Sequence, residues 1–173
     1  VSNCTTALHL ALHCLGVGAG DEVVTVSHSF VATANVITYC GATPVFVDVD
    51  PQTYNLDPAL LEAAVTPRTK AIMPVHQMGM PCDLTTILDI ARRHGLRVVE
   101  DAACASGSEI LINGKWDRIG KPHGDIACFS LHPRKVITTG DGGMLTTADA
   151  AIDRELRLLR QHGMSISDTA RHV

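Results

Sequence analysis

The sequence predicts an α/β fold in which a mainly parallel sheet lies between two layers of helices. Two observations support this class. Short β-branched runs alternate along the chain with segments whose apolar residues recur at helical spacing. Polar or ionisable residues also come directly after several of the apolar runs, where the strands of a parallel sheet end. We therefore expect βαβ units with a binding crevice at the carboxyl edge of the sheet.

The first half of the chain contains three helical patterns and three strand patterns. "TTALHLALHCLG" is helical and ends at Gly16, and "FVATANVITYCG" is helical as well. "DPALLEAAV" has Asp57 as a cap and Pro58 at the first helical position. The strands are "EVVTV", "TPVFVDV" and "KAIMPVH".

The second half continues the alternation. "DLTTILDIARRHG" is predicted as a helix that is capped by Asp83 and stopped by Gly95. "RVVED", "DIACFSLH" and "GGMLTT" are predicted as strands, and "DAAIDRELRLLRQHG" as an amphipathic helix. The stretch "NGKWDRIGKPHG" is interpreted as a polar loop.

Composition excludes several classes of function. The chain has 173 residues, is 46% hydrophobic and has a net charge of −4 with no basic stripe, which argues against nucleic acid or an anionic membrane as partner. The longest apolar runs are far shorter than the roughly 18 residues of a spanning helix. Six cysteines without a C-x-x-C spacing are interpreted as reduced thiols, most of them buried, in a cytoplasmic protein.

Lys135, one of four lysines, follows the apolar run "DIACFS" and precedes the glycine-rich "TTGDGG". A lysine that forms a Schiff base must be partly neutral, and partial desolvation or a nearby cation favours the neutral amine. An exposed loop lysine is the simpler interpretation of one such residue alone. We assign that role to Lys70, Lys115 and Lys121.

Three further features stand near strand ends or helix starts. Asp101 follows "RVVE" and could pair with a protonated ring nitrogen or cap a helix, while Glu100 should point to the other face of the sheet. "SNCTTALHLAL" opens a helix, where Thr5 and Thr6 could bind a phosphate, although a plain cap by Ser2 or Asn3 explains it equally well. Phe30, between a strand and a helix, could stack on a flat ligand or belong to the core.

In combination these stretches resemble the DegT/StrS type of pyridoxal 5′-phosphate (PLP)-dependent sugar aminotransferases. The segments are "SNCTTALHLAL", "SFVATANVITYCGATPVFVDVDPQTYNLDP", "TKAIMPVHQMG", "VVEDAACASG" and "CFSLHPRKVITTGDGGMLTT", in that order. The resemblance implies the aspartate aminotransferase fold (fold type I), a three-layer αβα domain with a mainly parallel, seven-stranded sheet. Residues 1–173 would be the incomplete PLP-binding large domain, with Val1 ending the first strand, "GGMLTT" antiparallel, and the small C-terminal domain absent.

The resemblance also implies roles for individual residues. Lys135 would form the aldimine with PLP and then move the proton, and Asp101 would bind the pyridine nitrogen. Phe30 would stack on the ring. Thr5, Thr6 and Ser130 would bind the phosphate, and Cys104 would lie near the ring oxygen.

Three positions depart from the usual pattern of the resembling family. Cys104 stands where most members have Gln or His, Cys4 where many have Gly, and Asp141 where many have Glu. The lysine and the aspartate remain in place. The departures affect only the details of cofactor binding, above all at Cys104.

By the same resemblance, the substrates would be a keto sugar, usually nucleotide-linked, and an amino acid donor such as glutamate or glutamine. The active site would be shared between the two chains of a homodimer. Alternative functions are a non-catalytic PLP-binding regulator and a sugar dehydratase-like relative, some of which carry His in place of the lysine. A metal enzyme built on His9 and His13 is the weakest alternative, because no acidic residue accompanies that pair.

Overall fold

A computed structural model describes residues 1–165 and 170 of the chain. The helices are α1 (Cys4–Cys14), α2 (Val31–Tyr39), α3 (Pro58–Leu61), α4 (Leu84–His94) and α5 (Ala150–Leu159). The strands are β1 (Glu22–Val26), β2 (Thr43–Val47), β3 (Thr69–Met73), β4 (Arg97–Asp101), β5 (Glu109–Ile112), β6 (Lys115–Arg118), β7 (Ile126–Ser130) and β8 (Gly143–Thr146). Short 3₁₀ turns occur at Glu62–Ala64 and Gln77–Gly79.

Six of these strands form one sheet in the order β2-β1-β3-β4-β7-β8. The neighbours from β2 to β7 are parallel, and β8 pairs antiparallel with β7. Val1 exchanges both backbone hydrogen bonds with Gly143 of β8, each at 2.9 Å. The predicted mixed sheet is confirmed, with six strands in the described part of the chain and Val1 paired at its β8 edge.

Helices cover both faces of the sheet, as the three-layer prediction requires. Side chains alternate between the faces, so that Val23 and Val24 of β1 enter different buried clusters. One cluster packs α1, α2 and α5 against the sheet, and the other packs α3 and α4. All five residues of β1 and of β7 are buried, which explains why these strands read as apolar runs without polar alternation.

Helix boundaries largely follow the predicted caps. Asp83 accepts a hydrogen bond from Thr86 N at 3.1 Å, and Gly95 ends α4 in the left-handed conformation with φ 66°. Asp57 and Pro58 start a helix as predicted, but only one α-helical turn forms before the chain tightens into a 3₁₀ turn. Only Leu61 of this segment is buried, so packing does little to extend it.

The interpretation of "NGKWDRIGKPHG" as a loop was wrong. β5 and β6 form an antiparallel hairpin whose turn residues, Asn113 and Gly114, have φ of 52° and 76°. Asn-Gly is the favoured pair for this two-residue turn, and the sequence signal was overlooked. Lys115 accordingly lies in a strand, as does Lys70 of β3, and not in a loop, although both are exposed.

No helix in the described part of the chain is long and apolar enough to cross a membrane. The described residues also contain no group of three or more side chains placed to bind a metal ion. His9 packs edge-on against Tyr39 on α2, with ring centroids 6.0 Å apart.

Candidate active site

A cavity of about 370 Å³ opens at the carboxyl ends of β4 and β7, beside the first turn of α1. This volume lies within the usual range of small-molecule sites. Its ionisable and polar lining comes from segments far apart in sequence, so the fold itself assembles the site. The lining includes Asn3, Thr5, Thr33, His76, Asp101, Cys104, Ser130, His132, Arg134, Lys135 and Asp141.

Lys135 reaches this cavity from the turn that follows β7. Its backbone N–H donates to His132 O at 2.9 Å, which closes the turn and directs the chain back toward β8. The side chain is half-buried, and its Nζ donates a hydrogen bond to Cys104 Sγ at 3.0 Å. The predicted position of the lysine in a crevice matches this geometry.

Asp101 occupies the last position of β4 and is 4% exposed. Thr33 Oγ1 donates to its Oδ2 at 2.9 Å, and Ala103 N donates to its Oδ1 at 3.2 Å. Burial raises the pKa of Asp101, because desolvation disfavours the charged form, while these two hydrogen bonds and the charges of His76 and Lys135 oppose that shift. A cationic ligand group placed against this carboxyl would favour its ionised form.

Sequence reasoning missed Thr33. It lies on α2, is buried, and hydrogen-bonds Ser29 Oγ at 2.6 Å in addition to Asp101. A polar residue on the buried face of a short helix was the available signal. Its hydroxyl helps to position the Asp101 carboxyl from 68 residues earlier in the chain, a contact that sequence spacing cannot reveal.

Glu100 points to the other face of β4, as predicted. Its Oε1 accepts from His123 N at 3.0 Å and from Gly124 N at 2.7 Å, and its Oε2 lies 3.1 Å from His76 Nε2. Cys82 N donates to His76 Nδ1 at 3.1 Å, so the proton of a neutral imidazole lies on Nε2 and points at Glu100. This buried network fixes the strand ends beneath the cavity and leaves Asp101 as the carboxylate that lines it.

The first turn of α1 forms one wall, and Asn3 is its cap. The Oδ1 atom of Asn3 accepts from Thr6 N at 2.9 Å and from Thr6 Oγ1 at 3.1 Å. Thr5 lines the cavity, whereas Thr6 is not among the lining residues that the structure describes. A phosphate role for Thr6 stays a prediction, and it would require the hydroxyl to leave the capping network.

A glycine brings β8 against this helix start. A Cβ atom added to Gly143 would lie 2.3 Å from Asn3 O and 2.9 Å from Cys4 N, which are backbone atoms that cannot rotate away. The "GDGG" run therefore does more than allow a turn. At Gly143 it permits the close approach that holds the first turn of α1 beside the lysine loop.

Ser130 and Phe30 also line the cavity, as predicted. Ser130 ends β7, and its Oγ accepts from His132 N at 3.3 Å. Phe30 is the residue before α2 and is 73% exposed, so it is not a core residue. An exposed side chain at the cavity is available to stack on a flat ligand.

The two cysteines that depart from the resembling pattern differ in their surroundings. Cys4 is buried at the start of α1, and burial raises the pKa of its thiol. Cys104 is exposed and lies in the turn after β4. Gly79 packs against this turn, since a Cβ atom there would lie 2.9 Å from Cys104 O.

Comparisons with known proteins agree with this geometry. The model of the DegT/DnrJ/EryC1/StrS aminotransferase family matches residues 1–173. GDP-perosamine synthase of Caulobacter vibrioides is 56% identical over 163 residues, which is 94% of this chain and 43% of that protein. UDP-N-acetyl-3-dehydro-α-D-glucosamine 3-aminotransferase of Acidithiobacillus ferrooxidans is 53% identical over 92% of this chain and 42% of its own length.

The crystal structure of S. venezuelae DesV in complex with a ketimine intermediate has a TM-score of 0.91 and 42% identity, over 97% of this chain and 44% of DesV. The chain thus spans less than half the length of the relatives that it matches. The mixed sheet, the lysine and aspartate in one cavity and the match along all 173 residues together place this chain in the DegT/DnrJ/EryC1/StrS aminotransferase family.

Proposed function

We propose that the protein carrying this chain is a PLP-dependent aminotransferase that transfers an amino group from an amino acid to a nucleotide-linked keto sugar. One observation carries the proposal. The amine of Lys135 and the buried carboxyl of Asp101 line the same cavity, beside the first turn of an eleven-residue helix. An amine, an acid and a phosphate-binding helix start are the groups that PLP requires.

The residues present fit this cofactor. Asp101 is a buried acid whose pKa is raised by desolvation, and a protonated ring nitrogen would place a cation directly against its carboxyl. Asn3 caps the backbone N–H of Thr6. The backbone N–H groups of Cys4 and Thr5, just before it, have no hydrogen-bond partner among the described residues. Together with the hydroxyls of Thr5 and Ser130, they would hold the phosphate.

PLP, when bound, supplies an electron sink for the carbanion that forms next to the reacting amino group. With PLP bound, the Nζ atom of Lys135 would hold the cofactor. Once freed by the amino acid donor, Nζ would accept the proton from the donor's α-carbon and return a proton in the second half of the reaction. The carboxyl of Asp101 would hold a proton on the ring nitrogen, and Phe30 would pack against the ring.

The substrate class follows from the relatives. One name specifies a GDP-linked sugar product, and the other specifies a UDP-linked 3-dehydro sugar, which carries a keto group, as the substrate. We therefore propose a nucleotide-linked keto sugar without choosing the nucleotide. Glutamate or glutamine is the proposed donor. Amino sugars of this kind would enter surface polysaccharides or secondary metabolites.

We further propose that the protein is a homodimer whose second chain covers the cavity mouth. Met78 and Val136 directly follow the lining residues Gln77 and Lys135, and they are 88% and 83% exposed. Large apolar side chains exposed beside a binding site favour an interface over open solvent. A cytoplasmic location is proposed as well, because the six cysteines are free thiols, as suits a reducing compartment.

The test uses the protein expressed from its complete reading frame and loaded with PLP. It is incubated with glutamate or glutamine and a panel of GDP-, UDP- and dTDP-linked keto hexoses, and amino sugar formation is followed by mass spectrometry. We expect amination of at least one sugar, dependent on both PLP and Lys135. A protein that binds PLP but aminates none of the panel in any donor combination would contradict the proposed substrate class.

A further inference from the structure

We propose that Cys104 and Lys135 form an oxidative cross-link, in which a peroxide joins the cysteine sulfur to the lysine nitrogen. The cross-link depends only on the geometry of the two side chains. Its consequence, that the protein can no longer bind its cofactor through Lys135, rests on the proposed function.

The two reacting atoms are already in contact. Lys135 Nζ lies 3.0 Å from Cys104 Sγ, so forming a bond between them requires only a small movement of two side chains that end at a cavity. All six cysteines lie in the described part of the chain, and Cys104 is the one that is exposed. A peroxide can therefore reach this sulfur directly.

The chemistry proceeds in two balanced steps. The sulfur of Cys104 attacks one oxygen of hydrogen peroxide, the O–O bond breaks, and the departing hydroxide takes a proton, giving a sulfenic acid and one water molecule. The neutral amine of Lys135 then attacks the sulfur, an S–N bond forms as the S–O bond breaks, and the departing hydroxide takes a proton from nitrogen to give a second water. Sulfur loses two electrons, peroxide gains them, and the product is a sulfenamide.

Competing fates of the sulfenic acid are less favourable here. Sulfenic acids condense with a thiol or with a nitrogen nucleophile, whichever is in reach. Cys4, which also lines the cavity, is buried, and burial raises the pKa of its thiol, so it is a poor source of attacking thiolate. The amine in contact with Cys104 is the favoured partner.

The reaction has a distinct signature after trypsin digestion. Cys104 is the single cysteine of fragment 98–115, and cleavage after Lys135 normally separates that residue from fragment 136–154. The sulfenamide blocks this cleavage and joins 98–115 to 135–154. The joined species has a mass about 2 Da below the sum of the two reduced peptides, because two hydrogens are lost.

The experiment compares cofactor-free and PLP-loaded protein, each expressed from its complete reading frame. Both are treated with dilute hydrogen peroxide, digested without reductant and analysed by mass spectrometry. We expect the joined species in the cofactor-free protein, its loss on treatment with dithiothreitol, and its suppression when PLP occupies Lys135. Lys135→Arg keeps the positive charge but cannot form the link, and Cys40→Ser removes a half-buried thiol outside the cavity as a matched control.

Formation of the link in the parent and in Cys40→Ser, but not in Lys135→Arg, is the expected result. A disulfide between Cys4 and Cys104, a sulfinic acid on an unlinked Cys104, or an unmodified Cys104 would each overturn the proposal. If the link forms equally well with and without saturating PLP, the cross-link stands and the cofactor role of Lys135 is contradicted instead. Visible absorbance of the PLP-loaded sample tests independently whether Lys135 binds the cofactor.

Discussion

Replacing Asp101 by Asn separates two effects of the buried carboxylate charge, namely its destabilisation of the cofactor-free fold and its contribution to catalysis. The change is nearly isosteric, and the amide can keep both contacts. Its oxygen accepts from Ala103 N, and its nitrogen donates to Thr33 Oγ1, which can turn its own proton toward Ser29. Any effect therefore reports the lost charge and not a disrupted fold.

We expect PLP to remain bound through the phosphate, stacking and lysine contacts, while turnover falls. A hydrogen bond to a charged group contributes about 1.5–3 kcal/mol. Since each 1.4 kcal/mol corresponds to a factor of ten, the loss in kcat should be about 10- to 150-fold if this interaction acts mainly in the transition state.

In the cofactor-free protein, by contrast, Asp101→Asn should increase thermal stability. A carboxyl whose folded pKa is raised stabilises the fold only below its unfolded pKa, and this contribution is lost as pH rises through the folded pKa. The charged Asp101 therefore costs stability at neutral pH, and Asp101→Asn should raise Tm at pH 7 to 8. This gain should shrink as pH falls from the raised folded pKa of Asp101 toward about 4, and it should be absent below that pH, where Asp101 is protonated in both the folded and the unfolded protein.

The assay pairs melting curves of the cofactor-free proteins across pH with kcat of the PLP-loaded proteins. A variant with near-normal kcat would show that Asp101 only caps the turn after β4. A lower Tm at neutral pH, with the difference persisting in acid, would show that the amide cannot keep the contacts with Ala103 and Thr33.

Three further substitutions probe the same cavity. Thr33→Val removes a hydrogen bond that lowers the pKa of Asp101, so the acid limb of the kcat/KM profile should move to higher pH; an unchanged limb would exclude this coupling. Cys104→Gln should be tolerated and should bind PLP at least as tightly as the parent. The Cys104 side chain is exposed in the cavity, and an amide is a better hydrogen-bond donor to the ring oxygen than a thiol. A lower Tm together with weaker PLP binding in titrations would indicate a buried, packed cysteine instead. Gly143→Ala forces the start of α1 away from β8, so PLP affinity should fall at least tenfold, which is about 1.4 kcal/mol. Binding of pyridoxal, which has no phosphate, should change less. Equal losses of affinity for both ligands would contradict a phosphate site at the start of α1.

The sheet was predictable because its strands are short, apolar and separated by capped helices. The caps at Asp83 and Gly95 are local signals, and the structure reproduces both. Lys135 and Asp101 were predictable because residues that follow parallel strands converge on one edge. The hairpin β5–β6 was missed although the pair Asn113-Gly114 is typical of a two-residue hairpin turn. The polar residues around the turn favoured the interpretation as a loop.

Other parts of the site could not be predicted because they depend on contacts between distant segments. Thr33 reaches Asp101 across 68 positions of the chain, and the close approach of Gly143 to Asn3 depends on how β8 packs against α1. The contact between Lys135 and Cys104 joins two loops that only the fold brings together. Asn3 and not Ser2 caps α1, a choice between adjacent residues that the sequence pattern left open.

Chemical reduction shows whether Lys135 carries the cofactor. The protein expressed from its complete reading frame is loaded with PLP, checked for absorbance between about 400 and 430 nm, reduced with borohydride and digested. We expect a phosphopyridoxyl label on Lys135 alone. A label on Lys70, Lys115 or Lys121, or a protein that stays colourless and unlabelled at saturating PLP, would contradict it.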